Sequence, residues 1–410
     1  MSMDLEFVRS CFPAFAEPTL ASAAFFENAG GSYACEPVVR RLETYYRRLK
    51  VQPYGAYPAS REAGEWMDES YRRLAVYLGV PADWLHFGPS TSQNTYVLAQ
   101  AFRRCLSAGD EIVVTNQDHE ANSGVWRRLA ADGVVVREWR VDRASGHLEP
   151  EALAGLLGPR TRLVCFPHCS NIVAEINPVA ELAAMVHARG ARCVVDGVSF
   201  AGHGFPDAGT LNADAYLFSL YKTFGPHQGL MVLRPDLLDE LGNEGHYFNA
   251  DQVRKRMNPA GPDHAQVAAA AGIADYFDAL DGHHYPEAPP AGRPERVRAL
   301  LHDTEAGLLG RLIDGLRQRP ALRLLGLPHP AGRAATVSVV SDRQTPGALA
   351  ESLGRRGLMV GAGHFYAVRL LEALGLDPAR GVLRISLLHY NSADEIDRLL
   401  VALDEALAGA

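Results

Sequence analysis

The chain lacks what would tie it to a membrane, a metal or a polyanion. No apolar run among its 410 residues approaches the roughly 20 needed to span a bilayer. The early residues Asp4, Glu6 and Arg9 do not follow the layout of a secretion signal, so a cytoplasmic protein without a membrane partner is expected. Positive charge is in deficit: 40 Lys and Arg against 48 Asp and Glu leave a formal net charge of −8. With no long block of one sign, there is no basic face for nucleic acid. The six cysteines, Cys11, Cys35, Cys105, Cys165, Cys169 and Cys193, are scattered and form no CxxC pair. Zinc, an iron–sulfur cluster and a redox dithiol are therefore not expected. Cys165 and Cys193 lie in apolar runs and read as small buried hydrophobes, whereas Cys169 sits beside polar residues and stays open. Also missing are a GxGxxG after the first strand, a GxxxxGK[ST] and a GxSxG, which argues against a dinucleotide oxidoreductase, a nucleotide hydrolase and a serine hydrolase.

What is present is an alternation of helical periodicity with short β-branched runs between about residues 70 and 235. The runs are Glu111 to Thr115, Val134 to Val136, Leu163 to Phe166, Cys193 to Val195 and Leu230 to Leu233. Such alternation predicts an α/β fold with a mainly parallel sheet covered on both faces, and a ligand at the carboxyl ends of its strands. The length suggests a large domain with a smaller one attached. Residues 20–282 read as the large domain and 283–295, proline-rich between His283 and Pro294, as a linker without regular structure. Residues 296–410 read as a small α/β domain on which residues 1–19 pack. Within it the pattern predicts helices over Arg296 to Arg317, Thr345 to Arg355 and Ala393 to Ala408, and strands around Ala335 to Ser341 and Gly381 to Leu387.

Lys222 is the most informative residue. It lies in Ser219-Leu220-Tyr221-Lys222-Thr223-Phe224-Gly225, 26 residues after Asp196, itself at the end of an apolar run. A lysine amine, flanking hydroxyls for a phosphate and an aspartate for a pyridine nitrogen suit pyridoxal phosphate. Other strand ends and turns add to the set. Phe87 to Asn94 runs into a helix with Thr91 and Ser92 at its start, where free N–H groups favour phosphate, though Ser-Thr-Ser is also an ordinary helix cap. His119 could lie over the pyridine ring, and Asn171 could meet the ring hydroxyl; each residue type also has a plain structural use after a strand. Arg384, in Leu-Arg-Ile-Ser, could clamp a substrate carboxylate through two parallel hydrogen bonds or simply face solvent.

With these residues in this order, the chain resembles the class V aminotransferase and cysteine desulfurase family of fold-type I pyridoxal phosphate enzymes. The likeness runs from about Phe25 to the C-terminus. Glu27-Asn28-Ala29-Gly30-Gly31 is similar to the family's Asp-Asn-Ala-Ala motif near the substrate, and Phe87 to Tyr96 to its Gly-Thr-Thr-Glu phosphate turn. Asp118-His119-Glu120-Ala121-Asn122 resembles Glu-His-His-Ala-Asn, whose first histidine stacks on the cofactor. Ser170-Asn171, Asp196-Gly197 and Ser219-Leu220-Tyr221-Lys222 match its Ser-Asn, Asp-Gly and Ser-Gly-His-Lys motifs. The resemblance implies a fold-type I architecture with a seven-stranded type of sheet and a homodimer with the site near the interface. It also implies Ser219 and Tyr221 as phosphate donors, Ser199 at a cofactor position often held by glutamine, and Lys222 as the lysine linked to the cofactor.

Departures bear on the reaction. Gly363-His364-Phe365-Tyr366-Ala367 stands where desulfurases of the family carry Gly-His-His-Cys-Ala, so Tyr366 replaces the sulfur-accepting cysteine. His389-Tyr390-Asn391-Ser392 resembles a motif of a desulfurase-like subgroup. Ala260-Gly261-Pro262-Asp263 lacks the threonine that in the family reaches the partner subunit's phosphate. The expected activity is β-elimination from cysteine or an S-substituted cysteine, with catalysis by Lys222, His119 and Asp196 and with Tyr366 or His364 as acid for the leaving group. Class V transamination or amino-acid epimerisation is the alternative, and a non-catalytic relic a further one. Asn28, Ala29, Arg384, His364, Tyr366 and Tyr57 are expected at the substrate, with Tyr54 and Arg61 near Tyr57.

Overall fold

The computed structural model describes residues 2–409. Seven strands form the central sheet: β1 (Leu85–Gly88), β2 (Glu111–Thr115), β3 (Val135–Trp139), β4 (Thr161–Pro167), β5 (Arg192–Asp196), β6 (Ala215–Ser219) and β7 (Gly229–Leu233). Their order across the sheet is β1-β7-β6-β5-β4-β2-β3. β7 is antiparallel to both its neighbours, and the other pairings are parallel, so six strands end at one edge. This is the mainly parallel α/β architecture expected from the sequence. β2, β6 and β7 are buried at every position, which is why they read as continuous apolar runs rather than alternating ones. β3 runs over Val135–Trp139, starting one residue later and ending three residues later than the expected run of Val134 to Val136. As an edge strand it tolerates Arg137 and Glu138, which pair with Glu111 and Arg127.

Five helices matter for the site and the domain arrangement: α1 (Pro58–Leu78), α2 (Thr91–Cys105), α3 (Ala271–His284), α4 (Arg293–Arg317) and α5 (Ala393–Ala408). A second sheet of β8 (Leu322–Leu324), β9 (Thr336–Ser341), β10 (Gly361–Gly363) and β11 (Val382–Ser386) has the order β10-β11-β9-β8, all antiparallel. α5 begins with a reciprocal cap in which the Ser392 hydroxyl accepts the Glu395 N–H and the Glu395 carboxylate accepts the Ser392 N–H.

The segment read as a linker is shorter than its prolines suggested. His283 and His284 close α3, and Pro294 sits in the first turn of α4, where its missing N–H has no intrahelical partner to lose. Only 285–292 lie between the helices. α4 packs Val297, Leu300 and Leu301 into the core around the large sheet and Leu309, Leu312, Ile313 and Leu316 into the core around the small one. The N-terminal segment reaches both parts. Phe12 packs edge-on against Phe224, Tyr276 and Tyr390, and Arg9 pairs with Glu395 at 2.6 Å. Among the described residues, no helix is long and apolar enough to cross a membrane.

Candidate active site

The carboxyl ends of the parallel strands converge on one cleft. β1 feeds a turn into α2, whose Ser90 cap accepts the Gln93 N–H at 3.2 Å and leaves Thr91 and Ser92 at the helix start. β2 leads to Asp118 and His119, β4 to Asn171, β5 ends on Asp196, and β6 ends on Ser219 with Lys222 one turn beyond. Thr91, Ser92, His119, Asn171, Asp196, Ser199, Ser219, Tyr221 and Lys222 all line this cleft. The structure therefore brings together every residue expected at the cofactor, although they are spread over 132 positions of sequence, 222 less 91 and counting both ends.

The electrostatics of the cleft follow from burial. Lys222 is held down to about 8 by desolvation and the nearby Arg384 charge, with Asp196 and Glu27 opposing. His119 is held down to about 4 by burial, then by Lys222 and Arg384, so its ring is neutral at physiological pH. Its Nδ1 accepts the Ala121 N–H at 3.1 Å, which leaves the proton on Nε2. Burial raises Asp196 to about 6, while the Val198 N–H, donating to its Oδ1 at 2.8 Å, favours the charged form. Asp118 is raised well above the usual carboxylate range by burial and by Asp196. Near neutral pH Asp196 is therefore mostly ionised. The Thr91 and Ser219 hydroxyls meet at 2.7 Å beside the start of α2.

The residues expected at the substrate divide. Arg384 is buried, with Nη2 donating to Glu27 Oε1 at 2.7 Å, Nη1 to the Asn171 carbonyl at 3.3 Å, and the guanidinium 3.7 Å above the Phe365 ring. Tyr366 is two-thirds exposed and lies 5.0 Å from the His119 ring, centroid to centroid. Its loop is pinned to the cleft by the Glu120 N–H on the Tyr366 carbonyl (2.9 Å) and by Asn171 Nδ2 on the Phe365 carbonyl (2.8 Å). His364 Nδ1 accepts the Tyr366 N–H at 3.0 Å. Asn28 braces the His-Tyr-Asn segment: its amide donates to the carbonyls of Phe25 and Ser386 and its oxygen accepts the Tyr390 hydroxyl, which leaves that oxygen one lone pair for a further donor. The Ala29 N–H is taken by Ser386 Oγ at 2.8 Å. Tyr57 is exposed and does not line the cleft of its own chain. Tyr54 donates to Asp68 and lines a separate cavity shared with Arg254 and 260–262, and Arg61 turns back to the Ala56 carbonyl.

Gln117, Asp118 and Cys169 also line the cleft, and sequence reasoning gave them no role there. The available signal was position: each follows the end of a central strand. Asp118 Oδ2 accepts the Asn122 amide at 2.8 Å, while Oδ1 is buried without a partner. The Cys169 thiol donates to the Ala174 carbonyl at 3.5 Å and is pushed up to about 12 by burial, so it stays a thiol.

The chemistry of this donor set fits pyridoxal phosphate. The cleft offers a buried lysine partly unprotonated near neutral pH, an ionised aspartate for the ring nitrogen, a neutral imidazole, and a helix start with two hydroxyls for a phosphate. Asn171 Oδ1, buried and unpartnered, is free for a ring hydroxyl. The fold and cleft thus define a pyridoxal phosphate-dependent enzyme. Within that class the chain belongs to the family described as Aminotransferase class-V, whose model matches residues 24–261 and 299–399.

The chain is 33% identical to an aminotransferase-like protein of Gibberella zeae over 420 residues, 99% of either chain. It is 32% identical to a probable cysteine desulfurase of Pseudomonas aeruginosa over 415 residues, 97% of each. Among solved structures, the apo cysteine desulfurase of Thermococcus onnurineus superposes with a TM-score of 0.86 at 24% identity, covering 100% of this chain and 99% of that one, which shows the shared fold.

Proposed function

We propose that the protein acts on an α-amino acid and eliminates a sulfur or similar group from its β-carbon. One observation carries this reading: the loop that meets the cleft presents a phenol, Tyr366, against His119, and the thiol in the cleft, Cys169, is buried and protonated. An acid for a leaving group is at hand, and a thiolate to accept sulfur is not. That supports elimination over the sulfur transfer suggested by the relatives called desulfurases. Phe365 and Tyr366 both adopt left-handed backbone (φ 47° and 59°), a cost of about 1–2 kcal/mol each for non-glycine residues. Strain of this kind is kept where the surroundings fix it, and here it aims one ring at Arg384 and the next at His119.

Bound pyridoxal phosphate supplies an aldehyde that takes up an amine and a ring that draws electrons from the carbon next to it. Thr91, Ser92, Ser219 and Tyr221 would hold its phosphate, Asp196 its ring nitrogen, and Lys222 its aldehyde carbon. Ser199 forms part of the wall. Arg384 is the group for the substrate carboxylate. Lys222 Nζ, freed when the substrate amine takes its place at the aldehyde carbon, would take the proton from the α-carbon. The Tyr366 hydroxyl or His364 gives a proton to the departing sulfur. The exposed Tyr54, Tyr57, Tyr247 and Phe248 supply the apolar area for a second copy of the chain, so a homodimer is part of the proposal.

The test is S-methylcysteine with the purified holoenzyme. Elimination releases pyruvate, ammonia and methanethiol, with Tyr366→Phe slowing it. The aminotransferase-like relative in Gibberella zeae favours transamination as the second reading. A keto acid that keeps its methylthio group would establish it and remove the lyase.

A further inference from the structure

The guanidinium assigned to the substrate carboxylate is already engaged. Glu27 Oε1 lies 2.7 Å from Arg384 Nη2, in a pair whose arginine is 3% exposed and whose glutamate is 27% exposed. The pair lies within electrostatic reach of Lys222, since both charges act on that amine. The place for the Glu27 carboxylate is built by two glycines. Gly361 on β10 pairs directly with Arg384 on β11, so the residue opposite the arginine has no side chain to cover it. A Cβ there would overlap Glu27 Oε2, and a Cβ at Gly30 would stand 2.6 Å from Glu27 Oε1. Arg384 is further fixed by the Phe365 ring beneath it and the Asn171 carbonyl at its other end. Its Nε is buried without a partner.

A bidentate clamp needs two adjacent donors. Nη2 and Nη1 each keep a second N–H, but an incoming carboxylate can take the Nη2 side of the fork without a like charge beside it only if Glu27 leaves. Two carboxylates on one buried guanidinium would repel each other. We propose that Glu27 is an internal carboxylate that occupies the substrate-carboxylate site in the resting enzyme, and that a substrate gains Arg384 only by displacing it. Glu27 is then a specificity-determining residue. It sets a threshold against simple carboxylates and weak ligands, and a substrate that also anchors through its amine passes it. Its partial exposure gives the displaced side chain a route toward solvent. This inference rests on the reading of Arg384 as the carboxylate clamp.

The probe is propionate, a carboxylate with no amine to react, with binding to the holoenzyme measured by calorimetry. Glu27→Gln keeps the shape and one acceptor but removes the charge, and Glu27→Ala removes the whole side chain and leaves the space opposite Gly361 open. Both should bind propionate about ten- to a hundredfold more tightly than wild type, the range for releasing a hydrogen bond between charged groups. Butylamine, which lacks a carboxylate, should bind all three proteins alike. Unchanged or weaker propionate binding in both variants, with Arg384→Ala abolishing it in the wild-type background, overturns the gate and leaves the clamp standing. Equal propionate binding with and without Arg384 removes the clamp and the gate together. Thermal unfolding of each variant identifies a folding defect, and Glu27→Asp, which shortens the acid, should then tighten propionate less than Glu27→Gln does.

Discussion

The sharpest quantitative consequence concerns Lys222 before it meets its cofactor. The amine attacks an aldehyde only when unprotonated. An ordinary lysine near 10.4 is unprotonated to about 0.04% at pH 7 and about 4% at pH 9, so its capture rate should climb about a hundredfold between them and keep climbing. At about 8, Lys222 is unprotonated to about a tenth at pH 7 and about nine-tenths at pH 9, a rise of only about tenfold that then levels off. The cause is burial with the Arg384 charge beside it, so Arg384→Gln, which removes the charge and leaves Glu27, should move the midpoint to higher pH. The assay is stopped-flow absorbance after mixing cofactor-free enzyme with pyridoxal phosphate at pH 7 to 10. A rate that still rises tenfold per pH unit at pH 10, or a midpoint unmoved in Arg384→Gln, would refute the account of the site's electrostatics.

Three further outcomes are expected. Tyr366→Phe should lower the elimination rate by about a hundredfold, the scale of one general acid, with the unfolding midpoint unchanged because the hydroxyl is on an exposed side chain. Glu175 is raised to about 7 by burial, so the folded state binds more protons than the unfolded one between about 4.3 and 7 and wild-type stability falls as pH rises through that window. Glu175→Gln removes this titration and should gain up to about 3 kcal/mol relative to wild type between pH 5 and pH 8 in urea unfolding; a pH-independent difference would contradict it. Asp281, buried and paired with Arg293 at 3.0 Å and Arg296 at 2.7 Å, ties the end of α3 to the start of α4. Asp281→Asn should cost about 2 kcal/mol by the same method, since the arginines keep some solvent.

Much of the molecule was legible because its strands are buried on both faces. β2, β4, β5 and β7 announce themselves as Val-, Ile- and Leu-rich runs. β1, only four residues with His86 in it, gave no such signal, and β3 was blurred by the charges an edge strand can carry. The proline-rich segment misled at its ends because a proline in the first helical turn looks, in sequence, like one in a loop. In the cleft, residue types that follow strand ends were readable, and their convergence is a consequence of strand direction. Contacts between distant segments were not readable. Glu27 and Arg384 are separated by 357 positions, and nothing local to either shows that they meet. Nothing local to Asn28 shows the bonds it makes with Ser386, Tyr390 and Asn391.

α4 places its first turns in one core and its last turns in the other, and the core of the large part also takes Leu370, Leu371, Leu388 and Tyr390 from far along the chain. The large part is therefore not finished when its own stretch of sequence has been made. A nascent chain that has emerged only as far as residue 292 lacks the residues that close its interior, and it exposes apolar surface until the C-terminal portion arrives. The boundary between the parts is one of architecture and not of folding, and calorimetry should register a single transition where two would mark independent units.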